Sequence, residues 1–172
     1  MTVQLIHTNQ RLDSLNYNTN NQVQQPDAIV KKEKKPLRKA VGIVVIDPNS
    51  QRVLMISSKK REGAYVLPRG DCNLETEESF EATALRVLKE KAYIQADGLS
   101  RRIGIYAEAN KKGKTVGHHA MFEVTSFTVL TPPDGFDRER VWVEYNRALM
   151  ATQERPMSHL ALTSSSLRTL RH

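Results

Sequence analysis

The chain has 172 residues, 39% hydrophobic and 26% charged, with one cysteine and a net charge of +7. That length suits one domain with tails, and the apolar content suits a core that stands without disulfides or metal staples. The lone Cys72 excludes an intramolecular disulfide and a cysteine-rich zinc site, and the apolar runs are too short for a membrane-spanning helix.

The opening residues MTVQLIHTNQ lack the basic start and apolar core of a secretory signal. The expected location is therefore intracellular, cytoplasmic or nuclear. Residues 1–36 read as a polar tail. Asn or Gln fills nine of the seventeen positions from Asn9 to Gln25, a composition that predicts disorder. From Lys31 to Lys39 six cations stand against Glu33, which accounts for +5 of the net charge and leaves +2 for the rest. The excess is thus a basic arm rather than a polyanion-binding surface on all sides. Lys31–Lys35 reads as a nuclear-localisation patch, a phosphate-binding arm or a solvated charge run, and the wider Lys31–Lys39 region as a contact for nucleic acid or a protein partner.

The domain is expected over residues 37–172. Ala40–Ile46 (AVGIVVI) predicts a buried strand, Asp47–Ser50 a turn, and Arg52–Ser57 a returning strand, the two forming a hairpin. A basic loop follows over Ser58–Gly63, then a short strand at Ala64–Leu67 and a polar loop at Arg69–Glu77. Phe80, Thr83, Ala84, Val87 and Leu88 recur at three- and four-residue spacing, which predicts a helix over 79–92 capped by Ser79 or Glu78. Strands are predicted at Arg102–Tyr106, His119–Leu130 and Arg140–Val143, with turns at Lys111–Lys114 and Pro132–Gly135. Helices are predicted at Tyr145–Thr152 and Ser158–Leu170. Strands and helices do not alternate regularly, so the pattern predicts an α+β fold or a sheet sandwiched by helices.

The stretch Val66–Ile94 (VLPRGDCNLETEESFEATALRVLKEKAYI) carries the chemistry: strand, Pro-Arg-Gly, acidic loop, then a helix bearing Arg and Glu. It resembles the Nudix box, G-x5-E-x7-R-E-U-x-E-E-x-G-U with U aliphatic. Gly70 takes the role of the first glycine, and Glu78 stands eight residues before Arg86, the family's spacing. Leu88 and Ile94 match aliphatic positions, and Glu90 matches the first acid of the Glu-Glu pair. The resemblance implies a site in which Glu78 and Glu90 hold Mg²⁺ or Mn²⁺ while Arg86 and Glu90 serve the chemistry. Carboxylates one helical turn apart suit a hard divalent cation, which neutralises phosphate and activates water.

The departures are specific. Val87 and Lys91 replace two box carboxylates, Tyr93 replaces a glycine, and Gly70 to Glu78 spans two residues more than the pattern. A lysine at 91 sets a positive charge where a divalent cation belongs. Beyond the box, residues 37–171 resemble the diphosphoinositol polyphosphate and diadenosine polyphosphate phosphohydrolase branch, which implies an α/β/α sandwich with a mixed sheet and dense polyanions as ligands. The resemblance assigns ligand contacts to Arg38, Lys39, Arg61, Arg69, Gly70, Lys114, Arg138 and Arg140, residue types that suit phosphate.

Other conspicuous residues read more plainly. His118 and His119 face opposite sides of a strand and do not share a metal easily. Cys72 lacks a histidine partner nearby, and Trp142 reads as packing. Glu108 and Glu123 are candidates for an extra base. Three functional readings follow: a polyphosphate-type binder or regulator with a degraded metal site and weak or no hydrolysis; an active Mg²⁺-dependent phosphohydrolase; and a ribonucleoprotein-associated protein, for which no RNA-binding motif is present.

Overall fold

The computed structural model describes residues 34–171, so the expected tail falls almost wholly outside the described residues. From Ala40 to Ile46 every residue is buried, which requires cover on both faces of the strand. β1 (Arg38–Val45) has that cover: Val41, Ile43 and Val45 point into one core, Val44 into another. β2 (Val53–Ser57) divides in the same way, with Leu54 and Ile56 on one side and Val53 and Met55 on the other. Alternate side chains of one strand feed two cores because successive Cβ atoms point to opposite faces.

The expected β1–β2 hairpin does not form. β1 lies between β4 (Arg69–Asp71), antiparallel to it, and β7 (Thr115–Val124), parallel to it. β6 (Arg101–Ala109) completes a mixed four-stranded sheet. β2 pairs with β3 (Tyr65–Val66) and β9 (Arg140–Val143) in a second sheet, and a single bridge, Ile46 to Val53, links the two. Beyond that bridge and the turn Asp47–Gln51, where Gln51 stands at φ 56°, the strands part, and each strand fills both its edges with other partners. A third pair joins β5 (Ile94–Ala96) to β8 (Phe127–Val129).

α1 (Phe80–Val87) starts at Ser79, whose Oγ accepts a hydrogen bond from the Ala82 amide at 3.1 Å. Its buried Thr83, Ala84 and Val87 face the first core. The helix then widens into a π-turn over Leu88–Ala92. Tyr93 ends it in the left-handed region at φ 49°, the conformation a glycine adopts without cost, and packs edge-on against Phe136 at 4.6 Å. α2 (Tyr145–Ala151) and α3 (Pro156–Thr163) cover the second core through Tyr145, Ala148, Ala161 and Leu162. The result is an α/β/α sandwich with mixed strand directions.

Three further boundaries move. The predicted strand His119–Leu130 breaks at Thr125-Ser126, where the Thr125 amide turns to the Ser100 hydroxyl and the chain leaves one sheet for another. The predicted helix Ser158–Leu170 is α3 followed by a 3₁₀ turn over Ser166–Arg171. The serines between them interrupt it, since Ser165 Oγ bonds the Leu162 carbonyl at 2.7 Å. The expected loop at Arg69 opens instead with β4. Among the described residues, no helix is long and apolar enough to cross a membrane.

Candidate functional site: a cationic cleft beside a closed carboxylate hub

The loop and helix from Arg69 to Tyr93 carry two groups of charges, which meet at Asp71. In the first group, Arg86 gathers the acids. Its Nε and Nη2 donate to the two oxygens of Glu78 at 2.8 and 2.9 Å, its Nη1 to Glu90 at 3.1 Å, and its Nη2 also to the Asp71 carbonyl at 3.0 Å. Glu78 accepts a further bond from the Asn73 amide at 3.0 Å. These donors, Arg86 first, hold the Glu78 carboxyl down from 4.5 to about 2. The same pair raises Arg86 above its ordinary value. The hub ties β4 and the loop to α1.

The second group borders a cleft of about 330 Å³. Among the described residues, seven cationic side chains line it, Arg38, Lys59, Lys60, Arg69, Lys91, Arg138 and Arg155, against the single carboxylate of Asp71. Arg38 is paired with Asp71 at 2.7 Å and Lys59 with Asp137 at 2.7 Å, while the other five make no ion pair among the described residues. Burial, then the nearby Arg155 and Arg38, lower Arg69. Burial, then Arg138, lower Lys91. Such crowding of like charge is costly until an anion arrives. His119 also borders the cleft and bonds Glu108 at 2.9 Å, which with Arg38 at 3.5 Å keeps Glu108 below its usual range. A second hollow, about 320 Å³, shares Arg38, Arg69, His119 and Arg155 and is also lined by Gly42, Met121, Met157 and the carboxylates Glu108 and Glu154.

The sequence-predicted ligand residues divide. Arg38, Arg69, Gly70 and Arg138 line the cleft. Gly70 acts by its smallness: a Cβ there would lie 2.6 Å from Val87 Cγ2 and 3.1 Å from Lys91 Nζ. Four residues stand elsewhere. Lys39, next to Arg38 in a strand, points to the other face, where its Nζ lies 6.0 Å from the Phe80 ring centre. Arg61 is paired with Glu154 at 2.9 Å. Lys114 is exposed at the end of the 110–114 turn. Arg140 is half-buried, its Nη1 shared among the carbonyls of Ala92, Tyr93 and Leu130 at 3.0–3.2 Å, so it is a structural tie.

Sequence reasoning missed Arg155, His119 and the place of Lys91 in the lining of the cleft. Arg155 sits just before Pro156 at the α2–α3 junction, where no local pattern marks it. Glu123, a candidate base, is buried and taken up by Arg101 at 3.1 Å and the Ser166 amide at 2.9 Å. Cys72 is buried, and Trp142 stacks on Phe127 at 5.6 Å.

The donor set fits a divalent cation poorly. Both oxygens of Glu78 are occupied by Arg86, and Glu90 is 56% exposed and held by the same guanidinium. Val87 is fully buried in the first core. Lys91 donates to the Arg69 carbonyl at 3.0 Å. Among the described residues, no group of three or more His, Cys, Asp or Glu side chains is placed to hold a metal.

This loop–helix beside a mixed sheet, sandwiched by helices, has a family. The NUDIX domain matches residues 36–161, and the chain belongs to the Nudix family. No curated protein matches the chain. Among solved structures it is similar to the solution structure of the E. coli ORF135 protein, at 17% identity and TM-score 0.57, over 78% of this chain and 93% of that one. That likeness is one of fold.

Proposed function

We propose that this Nudix-fold protein binds a polyphosphate-type anion in the cationic cleft, hydrolyses it weakly or not at all, and acts as a binder or regulator. One observation carries the reading. The carboxylates that survive from the box are neutralised by Arg86, while the cleft beside them gathers seven cations with one acid. Guanidinium and ammonium groups bind phosphate oxygens by charge-assisted hydrogen bonds without a bridging metal.

A second reading, an active phosphohydrolase of diphosphoinositol or dinucleoside polyphosphates, draws on family membership and on Glu78 and Glu90 standing in the family's register. One experiment separates the two. Phosphate release from inositol pyrophosphates and diadenosine polyphosphates is followed with Mg²⁺ or Mn²⁺, beside direct calorimetric binding. Saturable binding with turnover far below about 1 per second supports the binder. Turnover at ordinary enzyme rates establishes the hydrolase and ends the first reading, as does the absence of any binding.

A further inference from the structure

Lys91 occupies a box position at which the family pattern has a carboxylate, and the fold turns its ammonium toward the ligand rather than away. Its Nζ lies against Gly70 and donates one hydrogen bond, to the Arg69 carbonyl at 3.0 Å. An ammonium carries three donors, and Lys91 lines the same cleft as Lys60, Arg69, Arg138 and Arg155. The one lining carboxylate, Asp71, is already engaged by Arg38 at 2.7 Å. A magnesium ion arriving with a polyphosphate therefore meets fixed positive charges and, among the described lining residues, one carboxylate that Arg38 already holds. It also dehydrates reluctantly and carries its waters with it.

We propose that Lys91 is the built-in counter-cation of the cleft, and that the ligand enters as the metal-free polyphosphate anion, so that Mg²⁺ competes with the protein for the ligand instead of bridging the two. The inference rests on the polyanion-binding reading above. It adds the ionic form of the ligand and gives Mg²⁺ a sign opposite to that of a metal-dependent hydrolase. Charge bookkeeping supports it: Mg²⁺ removes two negative charges from the ligand, and with them part of what the unpaired cations are there to meet.

The test is calorimetric titration of the full chain with inorganic tripolyphosphate at constant ionic strength, in chelator and in millimolar Mg²⁺. Apparent affinity is expected to fall about tenfold or more in Mg²⁺, the equivalent of losing one charge-assisted contact. Lys91→Gln should weaken binding in chelator by about tenfold, and Lys91→Arg should keep most of it. Lys91→Glu should reverse the sign, with Mg²⁺ now strengthening binding. Equal or tighter binding of tripolyphosphate to the parent protein in Mg²⁺ overturns the inference while leaving the polyanion-binding reading intact. No binding under either condition defeats that reading itself. The parent titration stands whether or not any variant folds.

Discussion

Arg86 and Lys91 are five residues apart on one helical segment, yet their electrostatic circumstances are opposed. Arg86 is surrounded by acceptors: two carboxylates and a backbone carbonyl take up its guanidinium. Lys91 donates to one backbone carbonyl and makes no ion pair among the described residues, with Arg138 and Arg86 set against Asp71 and Glu90 around it. Charge that is answered within the fold fixes a loop to a helix. Charge left unanswered in a cleft costs stability in the free protein and is recovered when an anion binds. The two groups therefore respond differently to the same kind of change, and substitutions test that difference.

The largest effect is expected at Val87. It lies fully buried against Gly70, so Val87→Glu sets an unpaired carboxylate in the core and should lower unfolding free energy by about 3 kcal/mol or more, read by denaturant titration. A variant as stable as the parent would mean that position 87 opens onto the cleft. Next, Arg140→Met takes a shared donor from three carbonyls, of which that of Tyr93 keeps the Leu130 amide as a partner, and should cost about 2 kcal/mol, while tripolyphosphate affinity stays within about twofold. A large loss of affinity without loss of stability would return Arg140 to the binding surface.

The hub has a pH signature. Glu78 titrates near 2 in the folded protein against an ordinary 4.5, so its contribution is complete above about pH 4.5 and is lost as pH falls toward 2. Arg86→Gln should lower the melting temperature at neutral pH by several degrees and flatten the acid slope, because Glu78 then titrates nearer its ordinary value. A parallel slope in parent and variant would show that the pair is not what depresses Glu78. In the other group, Arg155→Gln should leave the free protein no less stable, yet shrink the rise in melting temperature that tripolyphosphate produces. A destabilised free protein would place Arg155 among the structural charges. The smallest effect is expected at Tyr93→Gly. Relief of the left-handed backbone and loss of the Phe136 contact oppose one another, leaving a net change within about 0.5 kcal/mol.

Much of the fold was legible because burial dictates pattern. Ala40–Ile46 reads as a doubly buried strand, and the spacing of Phe80, Ala84, Val87 and Leu88 as one apolar helix face. The pairing of β1 was not legible, since a turn between two strands looks the same whether they stay together or part. β4 was hidden because Arg69-Gly70-Asp71 is polar at the surface of the cleft, and the π-turn because its residues keep helical composition. Half of the residues expected at a ligand line the cleft, and the same logic says why the others do not. Arg38 and Lys39 are neighbours in a strand, so only one of them faces the cleft, and alternation alone does not say which. Arg155 and His119 come to the site through tertiary packing of α3 and β7, for which a local stretch of sequence carries no sign.

Cys72 gives the molecule a reporter of its own. It is the chain's one thiol, it is buried, and its amide bonds the Lys39 carbonyl at 2.8 Å, just beyond the strand that bears Arg69 and Gly70. A thiol reagent reaches it only when β4 lifts from β1 or the loop swings off α1. The labelling rate at Cys72 thus clocks local opening of the segment that joins the closed hub to the cleft. An anion drawn to Arg69 and Lys91 should slow that clock, and loosening of the Arg86 hub should speed it.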